Sequence, residues 1–331
     1  MIKLRIGIIG CGRISQAHIE AANYLKNVVE IVALSDKYIE KAKDVGSKIG
    51  VNFCVDDYRK LLANPKVDAV IIALPHNLHY EAAIASAKAK KHILLEKPMA
   101  LKYKEAKKMV TIAKDNDVFL MIGHSRRFCD AIQILREKIN EIGPIIRILI
   151  NFLVYFPEPP TEWWKSQEET GDLITYLQAS HSIDFALWIL NKTPIRIFGN
   201  TFTRNNKGFT MKDEADIFLE FPGDITTSIH LSLNTKPPLH EYIIVGEKGS
   251  FRLIEYQLKE SFTFGYKLML NEETLLEGVQ IPTNYSLQLK EFVEAIKLRR
   301  VPLASGEEIL PLVKVLEKIS ESSKTGEILN L

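Results

Sequence analysis

Short apolar runs alternate with amphipathic segments through the first 122 residues of the chain. The apolar runs predict strands at residues 4–9, 28–34, 67–74, 92–95 and 118–122. The amphipathic segments predict helices at residues 16–25, 37–49, 80–90 and 103–116. Strands that alternate with helices in this way are typical of a doubly wound parallel sheet, the Rossmann fold.

The pattern changes after Gly143 and Pro144. Apolar and polar residues alternate in several short runs, which predict strands at residues 145–155, 195–202, 215–221, 226–233, 242–245 and 250–254. Helices are predicted at residues 172–190, 286–297 and 306–322, and loops at residues 156–161 and 203–209. This half therefore predicts an antiparallel sheet with a helix on one face. With 331 residues, the α/β chain is expected to form two domains, residues 1–122 and residues 123–331.

Composition excludes several classes of protein. The 43 basic and 41 acidic residues nearly balance and are dispersed, so no nucleic-acid partner is expected. No apolar stretch is long enough to span a membrane, and residues 1–10 lack the apolar core of a signal peptide. The three cysteines have no metal-ligand spacing. We therefore expect a cytoplasmic protein without a bound metal.

A glycine-rich turn joins the first predicted strand to the first predicted helix. Gly10 and Gly12 begin a G-x-G-x-x-G pattern in which Ser15 replaces the third glycine. Gly10 permits the tight turn, and Gly12 lets a pyrophosphate approach the helix N-terminus. Asp36 follows the second strand, where a carboxylate accepts hydrogen bonds from a ribose 2′-hydroxyl. The combination predicts binding of NAD, with NADP as a possible alternative because Lys37 could offset repulsion of a 2′-phosphate.

Two further segments follow predicted strands at the same edge of the sheet. Pro75 follows one strand and Lys97 follows another, and ligands bind at the carboxyl ends of strands in open α/β sheets. Lys97 could reach both a cofactor and a substrate hydroxyl, although a solvated Glu96–Lys97 pair is the alternative interpretation. The candidate cofactor contacts are Gly10, Gly12, Arg13, Ile14, Asp36, Lys37, Leu74, Pro75, Asn77, Glu96 and Lys97.

The predicted helix at residues 172–190 carries a histidine on its apolar face. Helical spacing places Leu173, Leu177, His181, Asp184 and Trp188 on one face. A histidine in such a stripe is more often a core or interface residue than a catalytic one. His76 and His79 are expected to shape the loop that begins at Pro75.

Several ordered motifs resemble the Gfo/Idh/MocA family of NAD(P)-dependent oxidoreductases. They are the glycine turn, residues 74–79, 96–100, 123–128, 181–184 and 245–250, and residues 305–308 before the last helix. The resemblance covers nearly the whole chain. It implies that residues 1–122 form a dinucleotide-binding Rossmann domain and that residues 123–331 form a substrate-binding and oligomerisation domain. The second is an α/β domain whose large, mostly antiparallel open sheet commonly builds homodimers or homotetramers.

The family acts mostly on sugars, sugar derivatives and cyclitols, and the resemblance assigns roles by position. Lys97 corresponds to the lysine that binds the reacting hydroxyl and orients the nicotinamide. His181 corresponds to the histidine that exchanges the substrate's proton. Tyr155, Trp164, Lys165 and Asp184 are candidate substrate contacts.

One position departs from the family's pattern. Many sugar and inositol dehydrogenases of the family have an aspartate four residues before the histidine, where this chain has Leu177. Asp184 or another carboxylate could compensate, but a helix-packing hydrogen bond is the favoured interpretation of Asp184. The leading hypothesis is an NAD(P)-dependent dehydrogenase or reductase of a sugar-like hydroxyl or ketone. A redox-assisted glycosidase and a catalytically silent dinucleotide-binding sensor are the alternatives.

Overall fold

Two compact units make up the protein. The computed structural model describes residues 3–204, 210–258 and 262–331, so the predicted loop at 203–209 lies mostly outside the described residues. The first unit contains Met1–Ser125 and Pro282–Leu310, and the second contains Arg126–Ile281 and Pro311–Leu331. This differs from the predicted division at residue 122, because residues 282–310 pack with the first unit. Their pattern predicted a helix but did not indicate which unit the helix would join.

The first unit contains a six-stranded parallel sheet with the order β3-β2-β1-β4-β5-β6. The strands are β1 (Leu4–Ile9), β2 (Val29–Ser35), β3 (Cys54–Val55), β4 (Ala69–Ile72), β5 (His92–Leu95) and β6 (Leu120–Ile122). The helices between them are α1 (Arg13–Tyr24), α2 (Ile39–Ile49), α3 (Tyr58–Leu62), α4 (His79–Lys88) and α5 (Tyr103–Asp115). The predicted doubly wound sheet is confirmed.

The central strands are apolar on both faces. All four residues of β4 are fully buried, as are Ile6 and Ile8 of β1. A continuous apolar run fits a strand that helices cover on both sides. The polar residues that follow these strands therefore lie together at the carboxyl edge of a rigid sheet.

The second unit contains a nine-stranded sheet with the order β14-β13-β12-β11-β7-β10-β9-β8-β15. The strands are β7 (Ile145–Tyr155), β8 (Arg196–Phe202), β9 (Glu214–Phe221), β10 (Ile225–Ser232), β11 (Asn234–Gly246), β12 (Gly249–Gln257), β13 (Phe264–Leu270), β14 (Glu273–Val279) and β15 (Leu329–Asn330). β7 and β10 are parallel and the other neighbouring strands are antiparallel. The predicted mostly antiparallel sheet is confirmed.

The remaining helices are α6 (Asp130–Glu137), α7 (Gln167–Thr170), α8 (Ser180–Leu190), α9 (Asn284–Leu298) and α10 (Gly306–Thr325). The predicted helical segment at 172–190 is confirmed, with a π-helical turn over Thr175–Ala179 before α8 begins. α8 covers one face of the nine-stranded sheet, where the ring of Phe185 lies 4.3 Å from that of Tyr242. None of the described helices combines the length and the apolar character needed to cross a membrane.

Candidate functional site

The glycine turn after β1 requires glycine at its first position. Gly10 has a φ of +96°, and a Cβ atom added there would lie 2.3 Å from the carbonyl oxygen of Ala73. Its N–H donates to the carbonyl oxygen of Ser35 at 2.7 Å, which ties the turn to the end of β2. A side chain at Gly10 would therefore both strain the backbone and collide with the residue after β4.

The N-terminus of α1 suits an anion. Gly12 is the N-cap residue, and no side chain of the described residues caps this end of the helix. A Cβ atom added at Gly12 would meet no described atom within 4 Å, so space lies open above the first turn. Arg13 is exposed and Ile14 is half-buried in that turn. Backbone N–H groups and the helix dipole at such an end favour a pyrophosphate.

Asp36 is held in place directly after β2. Its two carboxylate oxygens accept hydrogen bonds from the backbone N–H groups of Cys11, at 3.0 Å, and Tyr38, at 2.9 Å. Each oxygen keeps a further lone pair that can accept a ribose hydroxyl. The Nζ atom of the neighbouring Lys37 lies 5.0 Å from the ring centroid of Tyr38. An open helix N-terminus beside a fixed carboxylate fits NAD.

Glu96 and Lys97 follow β5 at the same carboxyl edge. Glu96 is 6% exposed, so the interpretation of this pair as solvated is wrong for the glutamate. One of its oxygens lies 2.8 Å from Nε2 of His18, and the other accepts the backbone N–H of Lys97 at 3.3 Å. Burial would raise the pKa of Glu96, but the hydrogen bond from His18 and the charges of His18 and Lys97 lower it overall. A buried carboxylate thus fixes the backbone that carries the half-buried Lys97.

The loop after β4 contains Leu74, Pro75 and Asn77, and it leads through a 3₁₀ turn, His76–Leu78, into α4. His79 begins α4 and is fully buried. Its two ring nitrogens lie 2.8 Å from the carbonyl oxygen of Pro98 and 2.9 Å from that of Leu74. His79 therefore contacts both its own loop and the segment that carries Lys97.

His181 belongs to the second unit, in the first turn of α8. It is half-buried, and the centroid of its ring lies 6.1 Å from that of Phe152 in β7. The π-helical turn before α8 needs about one residue more than an α-helical turn. Residues four apart stay at a similar angle in either kind of turn. Leu177 and His181 are both half-buried, and their shared face stays a prediction.

Asp184 is buried against an arginine of the same unit. Its two oxygens accept hydrogen bonds from Nε of Arg127 at 2.9 Å and from Nη2 at 2.7 Å. The side chains are 4% and 5% exposed for the arginine and the aspartate respectively. This ion pair supports the helix-packing interpretation of Asp184 over a role in substrate binding.

The other candidate substrate contacts differ in their surroundings. Trp164 is buried, with its ring centroid 5.2 Å from that of Phe156, so it belongs to the core. Lys165 is exposed and pairs with Glu162 at 2.8 Å. Tyr155 is half-buried at the end of β7, and Nζ of Lys236 lies 3.8 Å from the centroid of its ring. Only Tyr155 among these three has the position expected of a side chain that could meet a ligand beside the sheet.

A buried polar cluster near His181 was not predicted. Arg126 pairs with Glu255, whose carboxylate also lies 3.1 Å from Nδ1 of His240. The ring of His240 stacks on Phe152 with 3.9 Å between centroids. Burial raises the pKa of Glu255, which the charge of Arg126 partly offsets, and burial lowers the pKa of His240 well below its ordinary value. Arg126 was visible only as part of a family motif, and its partner lies 129 residues away.

No group of three or more histidine, cysteine or acidic side chains within residues 3–204, 210–258 and 262–331 could hold a metal ion. Two of the acidic side chains in the second unit pair with arginines, in Arg127–Asp184 and Arg126–Glu255.

Comparisons with known proteins match both halves of the chain. Residues 4–124 match the family model described as an oxidoreductase family with an NAD-binding Rossmann fold, and residues 132–252 match the GFO/IDH/MocA C-terminal domain. The chain is 36% identical over 319 residues to myo-inositol 2-dehydrogenase of Thermotoga maritima, with 92% of each chain covered. It is 26% identical over 307 residues to 1,5-anhydro-D-fructose reductase of Ensifer adhaerens, covering 92% of this chain and 91% of that protein.

A solved structure has the same fold. The WlbA dehydrogenase of Bordetella pertussis, in complex with NADH and UDP-GlcNAcA, aligns with a TM-score of 0.85 at 24% identity. The alignment covers 100% of this chain and 99% of that one. At this identity the likeness establishes the fold of the whole chain.

Proposed function

The chain belongs to the GFO/IDH/MocA family of NAD-binding oxidoreductases, and on that premise we propose that it transfers a hydride between NAD and a CH–OH group of a sugar, sugar derivative or cyclitol. The relative at 36% identity supports this substrate class, because its name gives myo-inositol, a cyclitol, as the molecule it oxidises. The 1,5-anhydro-D-fructose reductase supports a sugar-like ketone for the reverse direction.

The position of Lys97 is the observation that carries the proposal. Lys97 follows β5 at the edge of the sheet where the glycine turn and Asp36 also lie, and its neighbour Glu96 is anchored by His18. A lysine on an anchored backbone at this edge can meet both the nicotinamide and a substrate hydroxyl.

The proposed chemistry needs a group that stabilises negative charge and a group that accepts a proton. NAD, when bound, supplies the hydride acceptor. The ammonium group of Lys97 would bind the reacting hydroxyl and stabilise the alkoxide charge that develops on its oxygen. His181 would take the hydroxyl proton, because an imidazole titrates near working pH.

We expect NAD to bind more tightly than NADP. The carboxylate of Asp36 is fixed by two backbone N–H groups, so it cannot easily turn away from the 2′-position of a ribose. A charged carboxylate there accepts from a 2′-hydroxyl and repels a 2′-phosphate. The exposed Lys37 offsets part of this repulsion.

The experiment is a substrate screen followed by one substitution. Sugars, anhydrosugars, uronates and inositols are tested for the absorbance of NADH at neutral and alkaline pH, and nitrophenyl glycosides in the same panel test the glycosidase alternative. With a substrate in hand, Lys97→Ala should lower kcat/KM at least about 100-fold, or about 2.7 kcal/mol of transition-state stabilisation. Lys107→Ala, an exposed lysine of α5, is the matched control and should retain full activity. Near-normal turnover by Lys97→Ala would overturn the assignment.

We also propose that copies of the chain associate through the open face of the nine-stranded sheet to form a dimer or tetramer. The residues of β9 and β10 on that face include Phe218, which is 40% exposed, and the exposed pair His230–Asp216. An exposed aromatic side chain on a broad sheet suits an interface. Light scattering on Phe218→Lys tests the proposal, since the added charge should shift the protein towards the monomer. Glu137→Lys, at an exposed site at the end of α6, is the matched control and should leave the assembly unchanged.

A further inference from the structure

Two buried histidines connect three of the segments at the carboxyl edge of the parallel sheet. His18, in α1 just after the glycine turn, contacts the side chain of Glu96 at 2.8 Å. His79, at the start of α4, contacts the carbonyl oxygens of Leu74 and Pro98 at 2.9 and 2.8 Å. Both histidines are fully buried.

Lys97 lies between the two anchored residues. Glu96 precedes it and is held by His18, while Pro98 follows it and has its carbonyl oxygen held by His79. The same ring of His79 reaches Leu74, the residue before Pro75, so it joins the loop after β4 to the loop after β5. A shift of the His79 ring would therefore move both loops at once.

The ring of His79 faces two groups that can only accept a hydrogen bond. Burial lowers the pKa of His79, although the two carbonyl groups and the charge of Glu96 act to raise it. A neutral ring carries one N–H and donates to one carbonyl oxygen, whereas a protonated ring donates to both. In either state the ring fills the space between two backbone segments and keeps at least one of them hydrogen-bonded.

We propose that His79 is a positioning residue that acts through Lys97. It fixes the backbone of the loop after β4 and of the segment after β5, and it does not contact the substrate. The proposal rests on the catalytic role proposed for Lys97. The contribution of His79 to kcat/KM should therefore disappear in a variant that lacks the Lys97 side chain.

A double-mutant cycle tests this dependence. The variants are His79→Gln, Lys97→Ala and the double variant, and kcat/KM is measured for each with saturating NAD. His79→Gln should lower kcat/KM by about 30-fold, which corresponds to the loss of one or two buried hydrogen bonds. In the Lys97→Ala background the same substitution should change kcat/KM by less than about 3-fold, since the group it positions is gone.

The matched control is His92→Gln. His92 begins β5 at the opposite end of the strand, where its Nδ1 accepts the backbone N–H of Phe119 at 3.1 Å. A loss of general stability in β5 would lower the activity of this variant as much as that of His79→Gln. Activity of His92→Gln within about 2-fold of the unsubstituted protein, together with a melting temperature similar to that of His79→Gln, separates positioning from stability.

A second measurement does not depend on activity. Hydrogen exchange of the cofactor-free protein, followed by mass spectrometry of peptides, reports the opening of each loop. His79→Gln should accelerate exchange at least about 10-fold in peptides that cover residues 73–79 and 96–101, and leave peptides of the nine-stranded sheet unchanged. Lys97→Ala should leave both loop peptides close to their rates in the unsubstituted protein.

The outcomes are distinguishable. If the protein oxidises no substrate of the panel, the proposed function fails, while the exchange experiment still decides whether His79 holds the two loops. The positioning role would be overturned if His79→Gln lowered kcat/KM by the same factor with and without the Lys97 side chain. It would also be overturned if His79→Gln left hydrogen exchange in both loops unchanged. If His79→Gln does not fold, histidine-ring NMR of the unsubstituted protein decides instead: ring N–H hydrogens of His79 that exchange rapidly with water would refute the contacts to Leu74 and Pro98.

Discussion

The buried ion pair between Arg127 and Asp184 gives the sharpest prediction about the stability of the second unit. Two hydrogen bonds of 2.9 and 2.7 Å join the guanidinium to the carboxylate, and both side chains are about nineteen-twentieths buried. The guanidinium also lies 5.2 Å from the ring centroid of Trp188, one turn after Asp184 in α8. Removal of the carboxylate would leave a positive charge in the interior beside the helix that carries His181.

The magnitude follows from the burial of the remaining charge. Asp184→Ala should lower the free energy of unfolding by about 3–5 kcal/mol, because the buried guanidinium of Arg127 loses the charge and the two hydrogen bonds of Asp184. Asp184→Asn keeps the shape and one acceptor and should lower it by about 1.5–3 kcal/mol. The double variant Arg127→Met with Asp184→Leu removes both charges and should recover most of the loss.

Urea unfolding followed by tryptophan fluorescence measures these differences. All three tryptophans, Trp163, Trp164 and Trp188, belong to the second unit, so the signal reports that unit. The control is Glu141→Ala, which breaks the exposed pair Lys138–Glu141 of the same unit and should change stability by less than about 1 kcal/mol. A loss below about 1 kcal/mol for Asp184→Ala, or a double variant as unstable as the single one, would refute the reasoning.

Three further predictions concern the cofactor, the proton and the thiols. Calorimetry on the unsubstituted protein should give a lower Kd for NAD than for NADP, and Asp36→Ala should bring the two Kd values closer together. Tighter binding of NADP than of NAD by the unsubstituted protein would contradict the role of Asp36. The rate of alcohol oxidation should rise with pH through one apparent pKa near the ordinary imidazole value of about 6.5. This limb should be lost in His181→Ala but kept in Leu177→Ala. A limb that persists in His181→Ala would place the base elsewhere. Burial raises the pKa of the thiols of Cys11 and Cys129 to about 12. At pH 8 both thiols therefore stay protonated, and they should react with a disulfide reagent far more slowly than after unfolding. The free energy of unfolding should also fall as the pH rises above about 9, because the thiols of the unfolded chain ionise there while those of the folded chain do not.

The parallel sheet could be predicted because its signals are local. A strand such as β4 is a short apolar run, and the turn after β1 requires the glycine at position 10 for a steric reason. Short elements gave no such signal. β3 has two residues and α3 has five, too few to establish a period.

The second sheet was predicted in its central strands and missed at its edges. β13, β14 and β15 were not predicted, and β11 extends from Asn234 where the sequence predicted a strand only from residue 242. The added part of β11 contains Pro237 and Pro238, residues that normally argue against a strand. These prolines lie between Asn234 and Leu239, where the pairing of β11 with β7 shifts register. Proline is tolerated at such a bulge, and the bulge is not visible in the segment itself.

The charged partners of the candidate site were the least predictable feature. A helix-packing hydrogen bond was the favoured interpretation of Asp184, but the sequence did not identify its partner, Arg127, which lies 57 residues earlier in the chain. The contact of Glu255 with Arg126 spans 129 residues. Because tertiary packing selects these pairs, a local pattern can identify a buried carboxylate but not the cation that neutralises it.

Leu177 lies in the π-helical turn that precedes His181. An ordinary α-helix stacks residues four apart on one face, and a π-helical turn, with about one more residue per turn, keeps such residues at a similar angle. Leu177 and His181 are both half-buried, whereas Tyr176 is buried. Leucine at position 177 therefore supplies no carboxylate to the imidazole, and the pH–rate limb of Leu177→Ala, compared with that of His181→Ala, decides whether His181 works without one.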